Sequence, residues 1–398
     1  MKKAATIPFF FGLLSSSLLL ASEYGSIKAG PFSIGGAVRV NYVQDSQDID
    51  TQNASKGSQG VFDLDTARIN IDFNYDSFIG KFEYRWYPGF DSVENGTNYS
   101  FIHTAWLGYK LNKKNHIEAG ITRVPFGPGA YGVSNSWFFD QHYYVGLTDD
   151  MDLGMKFTSQ SIKNLTIDLA YFYGAEDDGI GKGGESTRYG YDVVDDFNER
   201  DQLNLRVVYT QSIGESSNDF GFSLLYSELE SKIASVDDGE RFAASAHMVN
   251  RYKNFTLKTQ LTRYEMSVDK NNDGSDDALV TMGGFNYGEG VASKAWLPSA
   301  SLSYKIETPS ISWLDYALPY IEYSNIIKDE SSFNDSEMIM IGSAWARGNW
   351  YIYSDLALAN GNYFVGPYTS SDGGTNNFGE NSGDDMEYRF NVNFGYYF

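Results

Sequence analysis

The amino-acid sequence predicts an all-β fold, a transmembrane antiparallel β-barrel of 16 strands with 18 as the alternative, and three observations carry that prediction. Apolar and polar residues alternate with period two in segment after segment. Aromatic residues make up 16 % of the 398 positions and glycine contributes 40, far from average globular usage. No run of 18 apolar residues occurs, so no helix can cross a bilayer. In hydrocarbon every backbone N–H and C=O must be paired internally, which leaves only a sheet without edges.

Residues 1–22 read as a cleaved export signal. Lys2 and Lys3 form the basic start, and Ile7 to Leu20 form an apolar stretch broken by Pro8, Gly12 and three serines. Ala21 and Ser22 follow before the chain turns polar at Glu23. The stretch is too short and wrongly flanked for a spanning helix. Residues 23–398 then form the barrel domain. The chain has no cysteine, which removes a disulfide scaffold and any thiolate or zinc–cysteine chemistry. Acids outnumber bases 52 to 30, a formal charge of −22. That balance argues against a nucleic-acid partner, because phosphate binding needs a basic footprint.

The last segment shows the pattern most plainly. Phe390, Val392, Phe394, Tyr396 and Phe398 alternate with Arg389, Asn391, Asn393, Gly395 and Tyr397. Ala67 to Tyr75, Leu165 to Tyr173, Leu203 to Tyr209 and Phe220 to Tyr226 repeat it, each about the 9–11 residues a tilted strand needs to span. Strands are expected near 32–43, 62–76, 80–88, 100–111, 116–126, 152–160, 165–175, 202–212, 219–230, 240–252, 255–267, 297–307, 316–327, 337–347, 350–360 and 386–398. Ala278 to Tyr287 also looks strand-like, but a single-chain bacterial barrel has an even count, so 278–296 is assigned to a long external loop. Short turns such as Lys253-Asn254 and Gly348-Asn349 alternate with long polar loops, and aromatics at segment ends suit interfacial girdles.

Charge is unevenly placed. Loops 45–60, 177–201, 268–277, 328–337 and 361–387 carry −2, −5, −3, −3 and −5, and loop 127–151 adds Asp140, Asp149 and Asp150 without a base. Nearly all the acidity therefore sits on one rim, where it solvates the surface and enriches cations. The bases sit on strands. Arg39, Arg68, Lys81, Arg85 and Lys110 are expected to face inward, as are Arg206, Arg241, His247, Arg251 and Lys258, because a charge facing lipid costs a few kcal/mol. They either pair with Glu83, Asp72 and Asp168 or form a basic pore wall.

Gly120-Ile121-Thr122-Arg123-Val124-Pro125-Phe126-Gly127 ends a strand, Pro125 having no N–H for the ladder. The loop that follows carries Tyr131, Trp137, Phe138, Phe139, Tyr143 and Tyr144. Six aromatics need cover, and the barrel interior supplies it. This Gly-x-x-Arg-x-Pro-Phe-Gly run, the strand Asp152-Leu-Gly-Met-Lys-Phe157 and the closing phenylalanine resemble bacterial outer-membrane porins, and among them the phosphate-selective porin O/P-like family. The resemblance implies a homotrimeric 16-stranded channel with its third loop inside, set in outer-membrane lipid and lipopolysaccharide after export through the periplasm. It implies passive diffusion of small hydrophilic solutes and ions, with phosphate or other anions as the selective alternative and Arg123 at the family's basic position. The acidic loops depart from the phosphate-selective pattern. A barrel enzyme or a structural or adhesive barrel is the alternative of another class.

At the constriction, Asp140, Asp149 or Asp150 is expected to face a wall of Arg39, Arg68 and Arg85, giving a transverse field. No cofactor is expected beyond a structural calcium. Asp269, Asn271, Asp273 and Asp277 occupy positions 1, 3, 5 and 9 of a calcium loop with Gly274 at 6, but Val280 stands where the bidentate Glu belongs. The histidines His103, His116, His142 and His247 sit in no nucleophile or metal motif.

Overall fold

Alternation lets each strand offer one face to lipid and the other to a lumen, and closure then follows from pairing the last strand with the first. The computed structural model describes residues 26–45, 60–87, 99–176, 190–285, 288–366, 377–381 and 385–398. The export-signal reading of 1–22 lies outside them, as do 46–59, 177–189 and much of 367–384 from the acidic loops. Among the described residues sixteen strands close one antiparallel barrel. They are β1 (Phe32–Asp45), β2 (Val61–Tyr75), β3 (Phe78–Tyr87), β4 (Tyr99–Lys110), β5 (Asn115–Arg123), β6 (Met151–Ser159), β7 (Leu165–Ala175) and β8 (Phe197–Ile213). The second half is β9 (Ser216–Ser231), β10 (Gly239–Tyr252), β11 (Phe255–Ser267), β12 (Lys294–Tyr304), β13 (Tyr316–Lys328), β14 (Ser336–Arg347), β15 (Trp350–Asn360) and β16 (Glu387–Tyr397). Closure runs from Ala37 opposite Tyr397 to Asp45 opposite Arg389. Gly36 N–H donates to Phe398 O at 2.7 Å, and Phe398 N–H donates back at 3.0 Å. A Cβ on Gly36 would run into Arg68 O, so only glycine fits this seam.

Of the strand-like stretch at 278–296, Leu279–Gly283 and Glu289–Ala292 stay out of the barrel, while its last three residues, Lys294 to Trp296, begin β12 and pair with β11. Leu279–Gly283 and Glu289–Ala292 pair with each other, and the first also pairs with Asp192–Val193, making a separate three-stranded sheet on the loop side. Parity is thereby kept at sixteen. The two-residue turns on the opposite side bend through left-handed residues: Asp76 (φ 54°), Gly214 (60°), Lys253 (52°) and Gly348 (52°). Beside them cross-strand rings meet, Phe78 with Tyr109 at 5.1 Å, Phe255 with Tyr304 at 4.5 Å and Trp350 with Tyr396 at 5.0 Å. This aromatic belt marks one interface. Further along the strands Ile69, Leu107, Met155 and Leu203 point outward and stay exposed. Among the described residues no helix is long and apolar enough to cross a membrane.

The lumen is less polar than the lipid-facing pattern suggests. On the loop side Leu225, Leu229, Leu297, Met338 and Met340 face inward and pack with Phe138, Tyr144 and Val145 of the third long loop. Val193, Met282, Val365 and Phe378, from other loops, join the same buried cluster. The loops therefore build a hydrophobic core inside the barrel mouth.

Candidate pore constriction

The third long loop (residues 124–150) leaves β5 and folds inward, and it is pinned along its length. Gly127 N–H donates to Ser223 Oγ at 3.1 Å, and Arg206 grips Gly127 O at 2.7 Å and Asp168 at 3.0 Å. At the tip, Glu322 accepts from Ser134 Oγ (2.6 Å), Asn135 N–H (2.6 Å) and Ser301 Oγ (2.9 Å). Asp355 accepts from Trp137 N–H at 3.2 Å. On the way out, buried Arg241 donates to Val145 O and Gly146 O at 2.8 and 2.9 Å and pairs with Glu199. Lys258 reaches Asn135 Oδ1 at 3.1 Å. Three of the second set of inward bases thus hold the loop in place.

What the loop leaves open is a cavity of about 160 Å³. One wall carries Arg39, Arg68 and Arg85; Tyr131, Trp137 and Asp149 come from the loop. The arginines are paired. Arg39 Nε lies 2.6 Å from Asp65, and Glu83 takes Arg85 at 2.6 Å and Arg68 at 3.5 Å. Glu83 fills the pairing role that the sequence predicts for it; Asp72 is exposed and takes no such part. Asp65 escapes a period-two reading because the ladder steps from Arg39–Thr66 to Val40–Leu64, leaving Asp65 as the extra residue of a bulge. A second bulge, where the register shifts between Glu83 and Tyr84, leaves His103 unmatched and turns it in, buried, with Nδ1 3.6 Å from Glu83. Both bulges therefore re-aim ionisable groups into the same wall.

The three loop acids part company. Asp149 joins the cavity wall, and its Oδ1 accepts from Arg123 Nη1 at 2.6 Å. Asp140 does not face the arginines. It is fully buried and ties the loop to itself, accepting from Val133 N–H (3.1 Å) and His142 N–H (2.9 Å) and meeting His142 Nδ1 at 3.1 Å. His142 Nε2 in turn meets Thr262 Oγ1 at 2.8 Å. Asp150 is likewise away from that wall, since one step along the backbone turns it to the other side, among Asp152 and Asp192. Burial, with Glu199 and Glu176 near, holds its carboxyl well above the usual range. Burial and Asp149 raise the Tyr131 phenol in the same way.

On the turn side lies a wider cavity of about 840 Å³. Lys114, Arg123, Lys156, Lys163, Arg206 and Arg251 line it against Asp168 and Asp219. Arg123 lines this chamber and Asp149 the other, so their ion pair stands at the boundary. The basic excess is on the turn side, while the acidic excess is on the loops.

The calcium-loop reading finds a different geometry. Asp269 accepts from Asp273 N–H (3.1 Å) and Gly274 N–H (2.8 Å), Asp273 from Ser275 N–H (3.0 Å) and Asp277 from Lys270 N–H (2.7 Å). These carboxylates cap the loop's own amides and do not converge.

Solved structures of outer-membrane porins and channels are similar to this closed sixteen-stranded barrel. The outer-membrane channel DcaP of Acinetobacter baumannii has a TM-score of 0.59 at 10 % identity, over 94 % of this chain and 99 % of that one. OmpF of Salmonella typhi, solved with daunomycin, has 0.58 at 12 %, over 94 % and 100 %. The anion-selective porin from Comamonas acidovorans has 0.56 at 11 %, over 92 % and 99 %. At these identities the likeness is one of fold. No protein-family profile matches the sequence, and no curated protein matches it.

Proposed function

We propose that the protein is a porin of the bacterial outer membrane, a passive channel for small hydrophilic solutes and ions. The observation that carries this reading is the arginine wall, Arg39, Arg68 and Arg85, facing an inward-folded loop across a cavity inside a closed barrel. Water-filled space with fixed charges of both signs passes polar solutes and repels apolar ones, because the low-dielectric wall focuses the field. Long loops then face outside and short turns the periplasm. Support for a non-enzymatic role comes from the commitments of His142 and Asp140, which bind Thr262 and loop amides. The test is conductance of the purified protein in a planar bilayer. Stepwise openings are expected; a folded, silent protein overturns the reading.

The finer reading is a preference for small anions, phosphate among them. It rests on the turn-side chamber, where six basic side chains outnumber two acids. In a salt gradient the reversal potential is expected on the anion side, and a cation-side value refutes the preference. Assembly as a homotrimer in lipopolysaccharide-containing membrane belongs to the same proposal and is checked by the mass of the unheated detergent complex.

A further inference from the structure

Away from the pore wall, three carboxylates meet where the third loop rejoins the barrel. Asp150 ends the loop, Asp152 is the second residue of β6, and Asp192 lies in the small loop-side sheet. All three are buried, at 4, 4 and 2 % exposure, and their ligating oxygens lie within 4.8 Å of one another. Among the described residues no lysine, arginine or histidine forms an ion pair with any of them, and the nearby Arg241 is committed to Glu199. Asp152 Oδ2 accepts from Gln202 Nε2 at 3.0 Å. Asp150 Oδ1 and Asp192 Oδ2, each without solvent, have no hydrogen-bond partner. Gly190 explains how the chains come so near, since a Cβ there would sit 2.9 Å from Asp150 Oδ1 and 3.6 Å from Asp192 Oδ2.

Buried carboxylates in mutual contact repel, and each unpaired buried charge costs several kcal/mol. A cation removes both penalties. We propose that Asp150, Asp152 and Asp192 bind a calcium ion that fastens the root of the constriction loop to the neighbouring loop-side sheet. The donor set is all oxygen, which suits a hard cation and excludes the thiolate and imidazole preferences of transition metals. Calcium fits better than magnesium because three carboxylates from two stretches of chain, with Glu176 and Glu199 adjacent, offer the irregular, oxygen-rich shell that calcium accepts. The site is distinct from the 269–277 loop, and its occupancy is independent of whether the barrel conducts.

The experiment uses the full barrel refolded in detergent without lipopolysaccharide, so that no lipid-bound calcium confuses the result. Terbium luminescence sensitised by the protein's aromatics, competed by calcium, reports binding; thermal midpoints with calcium, magnesium or chelator report its coupling to the fold. Wild type is expected to bind terbium, release it to calcium and gain midpoint with calcium more than with magnesium. The D150N/D192N variant should lose that gain and weaken terbium binding at least tenfold, roughly the scale of losing charged ligands. A second variant, D269N/D273N, should behave as wild type. No calcium response in wild type, a response unchanged in D150N/D192N, or one lost only in D269N/D273N each overturns the proposal. If D150N/D192N fails to fold, as judged by loss of its heat-modifiable gel shift, the single variant D192N replaces it under the same criteria.

Discussion

Asp65 shows how one residue sets the electrostatics of the gap. The bulge turns it inward against Arg39 at 2.6 Å, so the arginine wall is part of an ion-paired array with Asp65 and Glu83. Charge removal therefore has opposite effects on the two sides of that array. Neutralising Arg39, Arg68 and Arg85 together to glutamine leaves Asp65, Glu83 and Asp149 with fewer cations beside them and should move the reversal potential towards cations. Asp65→Asn should move it towards anions. If both variants keep the parent's reversal potential, the wall is not where ions pass. Glu289 is a second single-residue determinant. It accepts from Asn377 N–H, joining two loops, and burial pushes its carboxyl up to about 7 from the usual 4.5. Because the folded state favours the protonated form, its contribution is fully present below about pH 4.5 and lost as pH rises through about 7. Hydrogen exchange at 289–292 and 377–381 should accelerate between about pH 5 and 8 in wild type and vary less in Glu289→Gln.

At the scale of elements, the constriction loop is held by side chains that lie far from it in sequence. Glu322 of β13 is 1 % exposed and takes three groups of the loop tip, Ser134 Oγ and both Asn135 nitrogens. Glu322→Ala leaves those donors unsatisfied, which costs about 1–3 kcal/mol, and frees the tip. Larger and noisier unitary conductance should follow while the barrel still runs as a folded species on an unheated gel. Unchanged conductance would mean that the remaining contacts, those of Arg206, Arg241 and Asp355 with the apolar cluster of Phe138, Tyr144 and Val145, hold the loop without Glu322. Helix formation was never open to these strands, whose alternation would smear apolar residues around every face of a helix.

For the whole molecule, stability in a bilayer depends on an uninterrupted apolar exterior. Ile69 lies mid-strand in β2, outward and 53 % exposed. Ile69→Lys places a charge in hydrocarbon and should lower barrel stability by about 2–4 kcal/mol, the range for a base near the midplane. Urea unfolding in lipid vesicles measures it, and a loss under about 1 kcal/mol would place Ile69 outside the apolar band. Charge is polarised across the molecule too, with acidic loops on one rim and a basic chamber behind the turns. If the barrel conducts as proposed, cations gather at the entrance and anions are favoured further in, so the selectivity of the whole channel depends on which region limits flux.

Period-two alternation, turn residues and the greasy final strand are properties of consecutive residues, and they point to a barrel of even strand number, its short turns and the inward course of an aromatic loop, while closure in the structure decides for sixteen over eighteen. Arg39, Arg68 and Arg85 are legible for the same reason, since a charge on a lipid-flanked strand has only one cheap direction to point. Of their partners, Glu83 is legible too, two residues from Arg85 on one strand face, but Asp65 is set by a bulge that no local pattern encodes. A bulge adds one residue and reverses the parity beyond it, so Asp65 and His103 face the lumen against the local pattern. The fates of Asp140, Asp149 and Asp150 diverge because irregular loop backbone has no period from which a direction can be read. Asp149 meets Arg123, Asp140 closes its own loop, and Asp150, with Asp152 two residues on, joins Asp192 from a separate segment of the chain. Strand pairing is a local code repeated around the barrel; the site is made of contacts between chain segments that only closure of the barrel brings together.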